Sequence, residues 1–467
     1  MKASTEAEKA IAIARSSTQR SMDLLASLIR IRSLTGEEGE AQAFLAALVR
    51  SLGAEVVLEE PDVQALFERF PTVAQYPTHW QHDLVLPYEG LPTFEALRDS
   101  GLQDVLNYRN RPNMVGRFQG TGGGRSLILN GHIDTVTVEP SQSWHFDPFG
   151  AEIVEGRMVG RGTSDMKGGL VAAVVALQCL REAGVKLRGD VILQSVVNEE
   201  HAGNGTLDLV RRGWTADAAV VLEPTNNAIC VDHTGGLYWQ VGVQGTARSP
   251  GARWNAGRQE GVSAIEKLPP VIEALLKIEH DALARAREQG DDGERAAFSM
   301  VIGKIQGGHY ETVTAQDVLI KGGAYFSPRA GSFLDVMQRM SHAMDDVAAK
   351  DEYLGKYRPR LQFLHHDDGV EQDPGIAPAM ALQRVLARRG ADGRIRPGPF
   401  CCDMRHLVNQ ANIPSVIYGP GSIAQAHKPD EHIVLAEYLD AVEHLIEFIV
   451  DWCNLDEEPT GAGERQP

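Results

Sequence analysis

The sequence predicts an α/β fold in two domains, and three observations carry that expectation. The chain has 467 residues, beyond the size at which a single hydrophobic core keeps growing. Between Ser126 and Glu223, apolar and β-branched runs of strand length each end in a histidine or an acid, with a long apolar run of helical character among them. After Glu223 the alternation changes character: a strand at 237–244, a helix at 270–280, strands at 299–305 and 318–326, and a helix at 332–350. That order reads as a smaller α+β unit set into the first domain.

Taken from the N-terminus, residues 1–20 are charged and helix-prone, with no apolar stretch of signal-peptide length. Residues 22–53 carry apolar positions at helical spacing, and 54–58 read as a first strand. Residues 60–110 are too long for an ordinary connection and hold Phe67, Phe70, Tyr76, Trp80, Tyr88, Phe94 and Tyr108. Short helices that cover a site are expected there, or else a surface excursion. Gly120-Thr121-Gly122-Gly123-Gly124 reads as a hairpin turn into a strand at 126–130, and lacks the Lys-Ser/Thr ending of a phosphate-binding loop. A helix over 170–180 and strands at 191–197 and 218–222 follow. The charged segment 281–294 is a solvated loop or a helix extension, 360–365 returns the chain to the first domain, and the polar tail 455–467 is expected to be disordered.

Composition excludes several classes. Hydrophobic residues make up 43% and charged residues 23% of the chain, the balance of a soluble globular protein. A net charge of −18 argues against nucleic-acid binding through a general basic face. No run approaches the ~18 apolar residues of a membrane span. Five cysteines, at 179, 230, 401, 402 and 453, make no even framework and no C-x-x-C pair, so a reducing cytoplasm is the simplest compartment.

The chemistry lies at the strand ends. In Gly131-His132-Ile133-Asp134 an imidazole and a carboxylate stand two apart, on one side of an extended strand. Such a pair suits a metal ligand and its supporting carboxylate, or equally a core histidine bonded to an aspartate. Asp165, in the glycine-framed Gly160–Gly169 stretch, precedes the apolar helical run; it fits an N-cap, or a carboxylate whose two oxygens bridge two cations. The 191–201 segment ends in Glu199-Glu200, two adjacent acids that repel unless cations or protons compensate, or unless water solvates them. Ala218–Leu222 delivers Glu223, and a last cluster runs Gly419-Pro420-Gly421, then Ala426-His427-Lys428-Pro429-Asp430-Glu431-His432. The C-terminal edge of such strands is where α/β sheets bind ligands.

In this order the motifs resemble the two-metal family of acetylornithine deacetylase, succinyl-diaminopimelate desuccinylase, aminoacylase and glutamate carboxypeptidase. The resemblance runs from about residue 22 to 453 and includes Arg111-Pro112-Asn113 and Trp144…Asp147-Pro148-Phe149. It implies a mixed-sheet catalytic domain between helices, with an inserted α+β lid that makes a homodimer contact: catalytic domain 1–234, lid 235–355, catalytic domain 356–467. It implies that His132, Asp165 and Glu223 bind one divalent ion and Asp165, Glu200 and His427 the other. Asp134 would orient His132 by accepting its second N–H, and Glu199 would be the general base. The nitrogen and oxygen ligands suit Zn²⁺ and admit Mn²⁺ or Co²⁺. The implied reaction is hydrolysis of the C–N amide bond of a small N-acylated amine or amino acid by a metal-bridged water. The alternatives are another C–N bond (a formamide, carbamoyl group or activated aryl amine), or a metal-binding relative without catalysis.

Two segments depart from the family pattern. Arg248, in Gly245-Thr246-Ala247-Arg248, stands where the family carries a lid histidine that reaches the other subunit's site. Its guanidinium suits an oxyanion or a substrate carboxylate, or an exposed lid position with another donor, such as His233, in that role. In Pro399-Phe400-Cys401-Cys402-Asp403-Met404-Arg405, relatives often read Thr-Asp-Ala-Arg; Arg405 would meet a substrate carboxylate or pair with Asp403. The two cysteines are expected to be small core residues on opposite sides of an extended strand.

Overall fold

Eight strands form the larger sheet of the protein, a computed structural model that describes residues 4–80, 85–290, 298–398 and 400–456. At its centre Leu127–His132 runs parallel to Val191–Val196 on one side and Ala218–Val221 on the other, and Ala218–Val221 runs parallel to Ser415–Ile417. Four consecutive strands therefore send their C-terminal ends to one edge, which puts His132, Glu199-Glu200, Glu223 and the loop after Gly419 in the same place. Both faces of these strands are buried. Leu127 and Leu129 lie in one core with the helices Lys167–Glu182 and Leu435–Cys453, on which Thr5–Ser16 packs in turn, while Ile128 joins Ile192, Leu209 and Leu407 on the other face. Covering on both sides explains why these strands read as continuous apolar runs rather than alternating ones.

Helices Thr18–Arg30 and Gly39–Ser51 precede the first strand, Glu55–Glu59. The glycine turn at 120–124 is not a hairpin: Asn113–Phe118 and Leu127–His132 do not pair, because Val191–Val196 lies between them. The glycines serve close approach instead. A Cβ at Gly120 would lie 2.3 Å from the Arg188 carbonyl oxygen, and one at Gly124 2.1 Å from that of Cys453.

The smaller sheet comprises Phe298–Gly307, Asp317–Phe326, Gly235–Gln244 and Arg360–Asp367 in that order, all antiparallel. Arg360–Asp367 thus completes the lid sheet rather than the catalytic domain, and the inserted unit extends to Asp367 instead of ending at 355. One face of this sheet (Leu237, Trp239, Val241, Ile320, Phe326, Phe363) buries itself against helices Pro269–Glu288 and Phe333–Lys350. The first helix runs on through Glu288, so the part of the 281–294 segment within the described residues is mostly a helix extension. The remainder, like the tail beyond 456, lies outside them.

Among its described residues the 60–110 segment holds two short helices, Val63–Arg69 and Phe94–Asp99, and clasps the lid to the catalytic domain. Tyr88 and Phe363 exchange backbone hydrogen bonds of 2.9 and 2.7 Å, Tyr88 Oη meets His366 Nδ1 at 2.7 Å, and Gln75 Nε2 donates to the His366 carbonyl oxygen at 2.8 Å. The segment's own anchor is Arg111, which forks onto the Glu38 carboxylate with two 2.7 Å hydrogen bonds and donates to the carbonyl oxygens of Thr78 and Asn107. Both partners are buried. Removing the guanidinium strands a carboxylate in the interior, so Arg111→Ala should lower the unfolding free energy by about 3–5 kcal/mol, measured by urea denaturation.

Candidate active site

At the shared strand edge the structure gathers His132, Asp165, Glu199, Glu200, Glu223 and His427. His132 Nε2 lies 3.1 Å from Asp165 Oδ1, 3.7 Å from Glu223 Oε1 and 3.9 Å from Glu199 Oε2. His427 Nε2 lies 2.9 Å from Glu200 Oε2 and 3.4 Å from Asp165 Oδ2. The two oxygens of Asp165 therefore face two different imidazoles. Ligand atoms of His132, Glu199 and Glu223, and likewise of His132, Asp165 and Glu200, lie within 4.8 Å of one another.

The electrostatics of this cluster demand cations. Burial pushes the carboxyl groups of Glu199 and Glu223 well above their usual range. Despite its own burial, Asp165 is held well below that range by His132 and His427. The Glu200 carboxylate drives the His427 imidazole up to about 11. Burial lowers His132, yet its hydrogen bond to Asp165 and the charges of Glu223 and Glu199 leave it well above an ordinary histidine. The raised imidazoles, favoured in their protonated form, thus bring positive charge toward the acids. Divalent ions supply it better, and their binding would displace those protons. The donor set is nitrogen and oxygen throughout, and it fits two divalent ions.

Several residues of the cluster are held by partners outside it. His132 Nδ1 donates to the Asp134 backbone carbonyl at 2.8 Å, which leaves Nε2 as the nitrogen turned to the acids. The Asp134 carboxylate is not that acceptor, since its Oδ1 stands 3.8 Å from Nδ1. It accepts instead from Thr35 Oγ1 at 2.8 Å and from the backbone N–H groups of Glu199 at 3.1 Å and Glu200 at 3.4 Å. Asp134, pushed up to about 7 by burial, therefore positions the two glutamates more than the histidine. Asn198, in the left-handed region at φ 64°, makes the turn out of the strand, and its side chain is tied to Thr78 and Tyr108.

Asp165 does not cap the helix it precedes; Met166 occupies that position, before Lys167–Glu182. Its loop is held by Glu431, a buried carboxylate that accepts from the backbone N–H groups of Gly162, Ser164 and Asp165 at 3.1, 2.9 and 3.1 Å and from Arg161 at 2.7 Å. Glu431 was visible in the sequence beside His427, but nothing there distinguished it from a solvated acid.

The cavity over the cluster measures about 130 Å³ and is roofed by the lid residues Tyr238, Tyr325, His365 and Asp367, with Phe400, Cys401 and Ile423 from the catalytic domain. Sequence reasoning missed the lid residues, which lie outside every motif. Arg405 reaches this cavity buried; it pairs with Asp403 as expected, at 3.8 Å from Nη2, and more closely with Asp367 (Nε–Oδ1 2.8 Å). Cys402 is a core residue, but Cys401 lines the cavity, and the two lie outside any strand. Pro399 of that motif is outside the described residues. Arg248 is exposed in a separate cavity with Arg253 and Tyr310, on the lid and outside the cavity over the acid cluster. His233 is buried, with Nδ1 on the Thr234 carbonyl oxygen.

A model of the peptidase family M20/M25/M40 matches residues 128–451. The chain is 30% identical over 371 residues to the N-formyl-4-amino-5-aminomethyl-2-methylpyrimidine deformylase of Bacillus subtilis (strain 168), covering 75% of this chain and 85% of that one. Its fold is similar to that of the dipeptidase Dug1p from Saccharomyces cerevisiae, with a TM-score of 0.73 at 14% identity over 97% of this chain and 99% of that one. It is also similar to a dinuclear metal-binding M20 peptidase of Bacillus subtilis, with a TM-score of 0.57 at 14% identity over 93% and 98% of the two chains.

If Glu431 sets the Asp165 loop, Glu431→Ala should weaken divalent-ion affinity by about 10–100-fold with the helix content unchanged. Competition against a chelator and circular dichroism measure the two; unaltered affinity would refute the positioning role.

Proposed function

The chain belongs to the peptidase family M20/M25/M40, and from that premise we propose how its residues carry out metal-dependent hydrolysis of a C–N amide bond. His132, Asp165 and Glu223 hold one divalent ion, and Asp165, Glu200 and His427 hold the second. The observation that carries this assignment is Asp165 between two imidazoles, one oxygen toward each. Zn²⁺ is the first choice of metal, with Mn²⁺ and Co²⁺ accommodated by the same donors.

When bound, the ions polarise the amide carbonyl and acidify a water. Glu199 Oε2, 3.9 Å from His132 Nε2, takes a proton from the attacking water and delivers it to the departing amine nitrogen. The lid residues Tyr238, Tyr325, His365 and Asp367 roof the cavity in which this takes place.

The acyl group is small. A cavity of about 130 Å³, walled by Tyr238, Tyr325 and Phe400, suits a formyl or acetyl group better than an extended chain. With a deformylase among the similar proteins, a formamide is the leading substrate class, and an N-acetyl amine or amino acid comes second. Arg405 is a candidate for a substrate carboxylate, although Asp367 already occupies its Nε. Five cysteines, none of them in a disulfide, support a reducing cytoplasm as the compartment.

A homodimer through the lid is supported by the exposed Trp254, Ile305 and Tyr310 on that unit; Arg248 would then serve the second copy's cavity. Light scattering should show a dimer, and Ile305→Asp with Tyr310→Asp should convert it to monomer.

Protein loaded with Zn²⁺, Mn²⁺ or Co²⁺ should release amine from N-formyl compounds faster than from N-acetyl, N-succinyl and N-carbamoyl ones. Glu199→Ala should reduce turnover by about 10²–10⁴-fold while metal content stays unchanged. Undiminished turnover in that variant would remove Glu199 from the mechanism, and a preference for succinyl groups would overturn the small-acyl reading.

A further inference from the structure

The lid sheet hides one face in its own core and turns the other toward the acids, and two β-bulges decide which side chains that second face presents. In Phe298–Gly307 the register shifts between Ile302 and Lys304, leaving Gly303 as the extra residue. Without it Lys304 would stand opposite Ile320, whose side chain is fully buried in the lid core. With it Lys304 stands directly opposite Lys321. Lys321 in turn pairs with Gln240, and Gln240 with Gln362, the last two joined by a 2.9 Å side-chain hydrogen bond. Arg360–Asp367 bulges in the same way between Phe363 and His365, which sets His365 opposite Tyr238. Bulges of this kind re-aim a side chain beside a site.

Two ammonium groups directly across a ladder repel one another and cost stability. Among the described residues neither Lys304 nor Lys321 has a carboxylate partner, although the chain carries a net charge of −18. Both line a cavity of about 560 Å³ that also reaches Gln240, Glu200 and His427. This wider cavity shares Glu200, Tyr238, His365 and His427 with the small one over the cluster. A substrate whose acyl group fills the small cavity therefore directs its amine portion into the large one.

We propose that Lys304 and Lys321 form an anion subsite for the departing-amine half of the substrate, so that the amine carries an oxyanion, either a carboxylate or a phosphate. The assignment rests on the amide-hydrolase reading for its substrate, but the subsite itself is a property of the lid. Lysines act as point charges toward such groups, and the pair supplies the two positive charges that a phosphate dianion or a carboxylate with one counter-ion takes up.

The test compares N-formyl-β-alanine, N-formyl-2-aminoethyl phosphate and the neutral N-formyl-β-alaninamide on metal-loaded wild type and K304Q/K321Q. Wild type should favour an anionic substrate over the neutral one by about tenfold or more in kcat/KM, an advantage that shrinks as salt rises. The double variant should lose that advantage and keep its rate on the amide. Equal rates on all three compounds in wild type, or an advantage that survives in K304Q/K321Q, would overturn the proposal. Calorimetry with inorganic phosphate, also on the metal-loaded proteins, separates the subsite from the reaction. Wild type should take up one phosphate that the double variant does not, even if none of the formamides is hydrolysed; identical uptake overturns the subsite.

Discussion

Crowding of carboxylates at one sheet edge is the constraint on which the rest of this structure depends. Asp165, Glu199, Glu200 and Glu223 converge from three loops, burial disfavours the charge of Glu199 and Glu223, and cations or protons must compensate such an arrangement. The surrounding polar network keeps the acids from relaxing apart. Glu431 takes three backbone N–H groups of the Asp165 loop, Asp134 takes those of Glu199 and Glu200, and Asn198 ties the same turn to Thr78 and Tyr108. A site that orders its ligands through second partners loses little freedom when the ions arrive.

The lid answers a different need. Its sheet must bury one face to exist as a unit, and the apolar residues against its two helices do that. The opposite face is then free to carry Tyr238, Tyr325, His365 and the lysine pair over the catalytic edge. The clasp through Gln75, Tyr88 and the Asp367–Arg405 ion pair ties the last lid strand to the domain beneath, so the roof is set against the acids by contacts on that strand.

Much of the catalytic side was legible in the sequence, for a physical reason. Parallel strands covered on both faces leave apolar runs, and acids or histidines that end such runs stand out; His132, Glu199-Glu200 and Glu223 were found that way, and the structure brings them together. What the strands pair with was not legible. The turn at 120–124 looked like a hairpin because glycines mark turns, whereas its glycines make room for the backbone at Arg188 and Cys453. Arg360–Asp367 was placed in the catalytic domain because nothing in a short β-rich run says which sheet it will join. His365 and Lys304 escaped notice because a one-residue register shift decides which face each side chain takes, and an alternating pattern does not disclose a bulge. Asp134 was found by its spacing from His132, but its carboxylate serves the backbone of residues far along the chain, a relation that only the fold creates.

The two cavities divide the burden of selectivity between the two units. Aromatic rings and the acids bound the small cavity, so on the proposed small-acyl reading its tolerance is steric, set by Tyr238, Tyr325 and Phe400. Polar and cationic lid residues bound much of the larger cavity, where selectivity is electrostatic and reaches further than contact. His365 and Tyr238 stand on the boundary, shared by both. A lid whose inner face is set by two bulges can therefore change the amine it favours through the residues those bulges expose, while the acids beneath and the bond they act on stay as they are.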